Sequence, residues 1–76
     1  TGDVLEVELS NDSLVDRTVE ETAKKLPDGC LVAMVSRNGT DRVPDSDFRL
    51  ASGDHLTLVC ETNEAMRDAR RLCQGG

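Results

Sequence analysis

Aromatic residues are almost absent from this 76-residue chain, which has one Phe, no Trp and no Tyr. Its core must therefore be built from aliphatic side chains and cysteine. A chain this short buries only about 60% of the surface that its unfolded form exposes, so its stability is marginal unless disulfides, a metal or a partner chain add to it. We therefore expect a homodimer, with a thinly stable monomer as the alternative.

Positive charge is also scarce, because nine Lys and Arg residues stand against 15 Asp and Glu and leave a net charge of −6. Binding to a nucleic-acid backbone or an anionic membrane requires clustered Lys and Arg, so neither partner is expected. The acidic bias fits either a salt-rich, halophilic cytoplasm or an ordinary acidic bacterial or archaeal domain. No apolar run approaches the length of a membrane span and no signal peptide opens the chain, so if the protein serves a membrane we expect it to do so as a soluble appendage.

The residues that catalysis or metal binding would require are not arranged for either. There is a single His, His55, and the cysteines Cys30, Cys60 and Cys73 lack the spacing of a zinc site. The acidic segment 41–47 lacks the Gly and Glu of a calcium loop. We expect no catalytic residue, no metal site, no enzymatic activity, and free cysteines in a reducing compartment.

Four segments carry the pattern of β-strands. Residues 4–9 and 55–61 alternate between apolar and polar side chains. Residues 31–35 are apolar throughout, which predicts a central strand covered on both faces. Asn38-Gly39 predicts a two-residue hairpin turn that leads into a polar strand at 40–43.

Two helices complete the pattern. A capping box of Thr18 and Glu21 begins the first helix, which ends before Pro27. Asn63 is expected to cap the second helix, whose apolar stripe ends at Cys73. The order β-α-β-β-β-α predicts a small two-layer α+β domain, with a mainly antiparallel sheet covered by helices and a second copy as its partner.

Several motifs, in this order and spacing, resemble the C-terminal regulatory domain of the TrkA family, called RCK-C. They are Leu-Val-Asp-Arg-Thr-Val-Glu-Glu at 14–21, Leu-Pro-Asp-Gly-Cys-Leu-Val-Ala at 26–33, Arg-Asn-Gly at 37–39, and Leu-x-x-Gly-Asp-x-Leu at 50–56. The resemblance covers nearly the whole chain and implies one TrkA-C-like domain over residues 1–76. Since the chain begins with Thr rather than Met, we expect it to be a fragment of a longer protein.

The resemblance implies a non-catalytic regulatory domain of a cation transport system, with potassium as the expected ion. Such domains are cytosolic dimers that transmit ligand occupancy to gating. The partners it implies are a second copy of the chain and either a membrane potassium channel or transporter or an attached nucleotide-binding domain. Its place is therefore the cytoplasm, at the cytoplasmic face of the membrane when it is part of a transporter.

Some members of the family bind cyclic di-AMP at the dimer interface, through an Asp-x-Arg on the first helix and an Asn-Ile that enters the second strand. Here these positions hold Thr22-Ala23-Lys24 and Cys30-Leu31, so two polar contacts are missing and cyclic di-AMP is an uncertain ligand. Lys24 could still face a phosphate and Leu31 an apolar part of a ligand, although Lys24 could equally pair with Glu20.

Arg37 matches the family's Arg after the central strand. It could meet an anionic ligand or a carboxylate of the partner, or it could be an exposed residue beside the hairpin. The ligand-binding residues that the resemblance implies are therefore Lys24, Cys30, Leu31 and Arg37.

Two other functions stay open. The terminal Gly75-Gly76 is shared with β-grasp sulfur carriers and ubiquitin-like proteins, whose tails extend directly from the last strand, whereas a helix over 63–73 is predicted to intervene here. The third possibility is a pure dimerisation module without a ligand.

Overall fold

The computed structural model describes residues 2–75, which form one four-stranded sheet and two α-helices. The strands are β1 (Asp3–Glu8), β2 (Cys30–Arg37), β3 (Thr40–Arg42) and β4 (His55–Cys60), and the helices are α1 (Val19–Lys25) and α2 (Asn63–Gln74). A short 3-10 turn, Asp12–Leu14, precedes α1. The predicted α+β class and the order β-α-β-β-β-α are confirmed.

The strand order in the sheet is β1-β4-β2-β3, and each neighbouring pair is antiparallel. Because β4 lies between β1 and β2, the segment β1-α1-β2 is a split β-α-β unit. The last strand, β4, thus forms backbone hydrogen bonds with both β1 and β2.

The two faces of the sheet differ sharply. On one face, side chains from the strands pack under α2 residues Ala65, Ala69 and Cys73 in a single core. The strand residues of this inner face are Leu5, Val7, Val35, Leu56, Leu58 and Cys60. On the opposite, outer face Leu31 is 55% exposed. The prediction that β2 is covered on both faces is therefore wrong within one chain, because the helices cover only the inner face.

Local signals explain where the helices begin. The hydroxyl of Thr18 accepts from the amide of Glu21 at 3.1 Å, and the Glu21 carboxylate accepts from the amide of Thr18 at 2.9 Å, so the predicted capping box is present. The cap of α2 is Thr62, whose hydroxyl accepts from the Ala65 amide at 3.0 Å. The expected cap Asn63 is instead the first helical residue, because the extended residue before it already supplies an acceptor.

The hairpin between β2 and β3 forms at the predicted place. Arg37 pairs with Thr40, and the two residues between them, Asn38 and Gly39, have φ values of 52° and 79°. Positive φ at both positions is the geometry of the two-residue turns that match strand twist. The hairpin therefore holds the end of β2 in a fixed place beside the loop that leads to β4.

Candidate functional site

The four residues that the resemblance implied as ligand contacts lie in two places. Lys24 is at the end of α1, and Cys30 and Leu31 begin β2, so these three flank the connection between the two elements. Arg37 is the last residue of the eight-residue β2, about 23 Å from Cys30 at the usual rise per residue of a strand. Three of the four therefore lie close along the chain, and Arg37 lies apart from them.

The corner between α1 and β2, formed by Lys24, Cys30 and Leu31, presents different chemistry on each residue. Lys24 is exposed, and among residues 2–75 it forms no ion pair with Glu20. Leu31 points to the outer face of the sheet, whereas Cys30 is half-buried on the inner face. The corner thus offers one free ammonium group on α1 and one exposed apolar side chain on the outer face of β2.

Cys30 is held against the core. Its sulfur lies 2.9 Å from the sulfur of Cys60 and 3.7 Å from the carbonyl oxygen of Ala65. Burial, followed by the contact with Cys60, raises the pKa of the Cys30 thiol to about 12. Cys30 is consequently a neutral thiol at physiological pH and would offer a ligand no charge.

Arg37 is fixed by a carboxylate inside the protein. Its Nε donates to Oδ1 of Asp54 at 2.8 Å and its Nη2 donates to Oδ2 at 2.7 Å, while Nη2 also donates to the carbonyl oxygen of Arg49 at 3.0 Å. Asp54 is only 1% exposed, and its Oδ2 also accepts from the amide of Ala51. Arg37 is therefore held in place by a carboxylate of its own chain and is not a loose surface residue.

The pair also sets the charge state of Asp54. Burial alone raises the pKa of this carboxyl, but the hydrogen bonds from Arg37 and from the Ala51 amide outweigh it, and the net pKa lies below the ordinary value. Asp54 thus remains a carboxylate at neutral pH, and its negative charge is neutralised by the guanidinium of Arg37.

Next to this pair lies a cavity of about 280 Å³ between the hairpin and the loop before β4. The side chain of Phe48 forms one side of it, and the guanidinium groups of Arg37 and Arg42 lie 5.0 Å and 5.6 Å from the centre of its ring. Within the described part of the chain Arg42 forms no ion pair. The only guanidinium here that is not already neutralised is thus that of Arg42.

Asp54 has a structural role that its Gly53-Asp54 motif does not reveal by itself. A Gly-Asp pair before a strand is ordinary turn chemistry. The signal that could have revealed its role is an Arg at the end of the neighbouring strand, but that requires knowing that β4 pairs with β2.

An apolar strip crosses the outer face of the sheet. We define the apolar strip as Val4, Val59 and Leu31, which lie side by side on β1, β4 and β2 because Val4 pairs with Val59 and Val59 with Leu31. The three side chains are 53%, 39% and 55% exposed. Three adjacent exposed aliphatic residues in one row differ from the scattered apolar residues of an ordinary surface.

Within residues 2–75 no group of three or more His, Cys, Asp or Glu side chains is arranged to hold a metal ion. In the same residues, neither helix has the length and apolar composition needed to cross a bilayer. The candidate surfaces of the described chain are therefore the α1–β2 corner, the arginine-lined cavity and the apolar strip.

Comparison with known proteins identifies the family. A family model described as the TrkA-C domain matches residues 4–74. A solved structure described as "Structure of RCK domain with cda" has the same fold, with a TM-score of 0.74 and 19% sequence identity over 92% of this chain and 96% of that one. No curated protein sequence matches. Because the family model spans nearly all of the chain, this protein belongs to the TrkA-C family of regulatory domains.

Proposed function

We propose that this chain is a cytoplasmic, non-catalytic regulatory domain of a potassium transport system, which works as a homodimer and changes its arrangement when a ligand or partner binds. Family membership supports the regulatory role. The observation that carries the dimer is the apolar strip, which a single chain leaves open to water. The transporter, or an attached nucleotide-binding domain, would be the partner that reads the rearrangement.

The energetics of the fold favour a partner at this strip. Among the described residues no aromatic side chain is fully buried, and the sheet contributes buried apolar side chains from one face only. Covering Val4, Val59 and Leu31 with the same strip of a second copy would remove more apolar surface from water, at about 25 cal/mol for each Å². A two-fold axis brings a surface patch against itself, so one apolar strip is sufficient for a closed dimer.

The ligand surface of the proposal is the α1–β2 corner. Leu31 belongs both to this corner and to the apolar strip, so a ligand that contacts Leu31 would lie at the edge of the dimer interface. Lys24 supplies the positive charge that a phosphate requires. A ligand at this place could bias one arrangement of the two copies over another, which is what coupling to a transporter requires.

Ligand binding at the α1–β2 corner is tested by titrating the isotope-labelled protein with cyclic di-AMP and following amide chemical shifts. We expect shifts around Lys24, Cys30 and Leu31 and weaker binding for Lys24→Ala than for Lys25→Ala. Lys25 is the matched control, since it is the next residue of the same helix and is also exposed. Equal affinities of the two variants, or no shifts in a folded dimer, would contradict this assignment of the ligand.

The helix α2 disfavours the sulfur-carrier alternative, in which the tail extends directly from the last strand. The helix α2 lies between β4 and Gly75, and Gly75 caps that helix by donating its amide to carbonyl oxygens of Arg71 and Leu72. Gly76 lies outside the described residues. If the chain were a pure dimerisation module, the titration with cyclic di-AMP would leave a folded dimer without amide chemical-shift changes.

A further inference from the structure

Two of the three cysteines face each other across neighbouring strands. The register of β2 and β4 pairs Cys30 with Cys60, and both are free thiols. Their sulfur atoms are 2.9 Å apart, which is closer than two sulfur atoms normally approach without a bond. A disulfide, with its S–S length of about 2.04 Å, would require the sulfurs to move only about 0.9 Å closer.

The backbone around the pair is also compatible with a disulfide. The amide of Glu61 donates to the carbonyl oxygen of Gly29 at 2.9 Å, and the amide of Cys30 donates to Pro27 at 3.3 Å rather than to Cys60. Cys30 and Cys60 are therefore a pair that does not exchange backbone hydrogen bonds. In antiparallel sheets the Cα atoms of such pairs are about 4.5 Å apart, at the short end of the range of about 4.4–6.8 Å that disulfides span.

This spacing has a consequence for reversibility. The Cβ atoms of directly opposed strand residues are about 4.5–5.5 Å apart, at the short end of this range in pairs that do not exchange hydrogen bonds, whereas disulfides prefer about 3.8 Å. A bond formed here would pull β2 and β4 slightly together, and strained disulfides are reduced more easily than relaxed ones. The pair is thus suited to a bond that forms and breaks, rather than to a permanent cross-link.

We propose that Cys30 and Cys60 are a site of reversible covalent modification, which forms an intramolecular cross-strand disulfide when a low-molecular-weight disulfide is abundant. Cys30 is the entry point because it is half-buried, whereas Cys60 is fully buried. The Cys30 thiolate attacks one sulfur of the small disulfide, which gives a mixed disulfide and releases one small thiolate. Cys60 then loses its proton, attacks the Cys30 sulfur and expels the second small thiolate. The protein pair gives up two electrons and two protons, and the small disulfide becomes two thiols.

The reaction is slow when oxidant is scarce. Burial raises the pKa of Cys30 to about 12, so only a small fraction is the reactive thiolate at neutral pH. The pair consequently stays reduced in a reducing compartment and responds to a sustained excess of disulfide. Since Cys30 directly precedes Leu31, an effect of the bond on self-association would rest on the proposed function, whereas formation of the bond does not.

The test is incubation of the reduced 76-residue protein with oxidised glutathione, followed by intact-mass measurement and peptide mapping without reductant. We expect the native protein to lose two hydrogen atoms in mass, with a cross-link between the peptides of Cys30 and Cys60, and dithiothreitol to reverse the change. A protein that remains fully reduced, while the same protein in urea is oxidised, would overturn the proposal. A cross-link that includes Cys73, or one between two chains, would overturn it as well.

Three single variants separate the roles of the cysteines. Cys60→Ser removes the resolving thiol, so Cys30 should keep a stable glutathione adduct instead of a disulfide within the chain. Cys30→Ser removes the entry point and should leave the native protein unmodified. Cys73→Ser is the matched control, because Cys73 is also buried, and it should lose two hydrogen atoms as the unmodified sequence does. Loss of the cross-link in this control would contradict the assignment of the disulfide to Cys30 and Cys60.

Discussion

Arg37 and Asp54 form a two-point ion pair that joins the end of β2 to the residue just before β4, with N–O distances of 2.8 and 2.7 Å. The carboxylate is buried and the guanidinium is partly exposed, with 1% and 41% of their side chains accessible. The backbone of Asp54 takes part too, since its carbonyl oxygen accepts from the amide of Leu9 at 2.8 Å. This one residue therefore ties together β1, β2 and the loop before β4.

Because the two partners differ in burial, removing Arg37 should be costly. Arg37→Ala leaves the Asp54 carboxylate buried with only the Ala51 amide as a partner, and an uncompensated buried charge costs about 3 kcal/mol. We expect the free energy of unfolding in urea to fall by roughly that amount. A loss of ligand affinity in this variant would therefore not identify Arg37 as a ligand contact.

Arg42 is the matched control for this experiment, since it also stacks on Phe48 but forms no ion pair among residues 2–75. Arg42→Ala removes a partly exposed cation–π contact and should cost less than about 1 kcal/mol. Equal stability of the Arg37 and Arg42 variants would contradict the role that we assign to Asp54.

The same pair predicts how stability depends on acid. The pKa of Asp54 is lowered in the folded protein, while an unfolded Asp titrates near about 3.9. A lowered folded pKa gives a contribution that is fully present above the unfolded value and is lost as the pH falls through the folded value. Urea unfolding from pH 7 to pH 2 should therefore show a stability difference between the unmodified protein and Asp54→Asn that is constant above about pH 5 and shrinks below about pH 4. Parallel curves of stability against pH for the two proteins, down to pH 2, would contradict a lowered pKa of Asp54.

Cys73 contributes to the effect of alkaline pH, because it lies completely buried on α2. Burial raises the pKa of this thiol to about 11, whereas an unfolded Cys titrates near about 8.5. A raised folded pKa gives a contribution that is present below the unfolded value and is lost as the pH rises towards the folded one, at up to about 1.4 kcal/mol for each pH unit. Urea unfolding at pH 7.5 and pH 10 should show a smaller loss for Cys73→Ala than for the unmodified protein; an equal loss would mean that Cys73 ionises freely in the fold.

The features that local sequence could predict are those whose partners are close along the chain. The capping box joins Thr18 to Glu21, and the hairpin turn requires only Asn38 and Gly39, so each pattern contains its own explanation. The order of elements follows from the same local patterns. The resemblance to the TrkA-C family also rested on short motifs at fixed spacing, and the match over residues 4–74 confirmed it.

The sheet order could not be predicted in this way, because the pairing of β4 with both β1 and β2 depends on tertiary packing. Three findings depend on that order: the burial of Asp54 against Arg37, the contact of Cys30 with Cys60, and the alignment of the apolar strip. The helix cap at Thr62 instead of Asn63 is a smaller difference, since both residue types can cap a helix and only the backbone conformation distinguishes them.

The dimer should be broken by one charge in the apolar strip. Leu31→Glu places a carboxylate at the proposed interface, where a second copy would bring a like charge against it. Val43→Glu is the matched control, because Val43 is 77% exposed but lies outside the strip, and both changes lower the net charge by one. Since both positions are exposed in a single chain, we expect neither change to alter the free energy of unfolding of the monomer by more than about 0.5 kcal/mol.

Sedimentation equilibrium of the unmodified protein and these two variants, at concentrations up to high micromolar, tests self-association through the apolar strip. We expect dimers for the unmodified protein and for Val43→Glu, and monomers for a folded Leu31→Glu. A monomer at every concentration for the unmodified protein, or a dimer that Leu31→Glu leaves intact, would contradict a self-associating regulatory domain built on this face of the sheet.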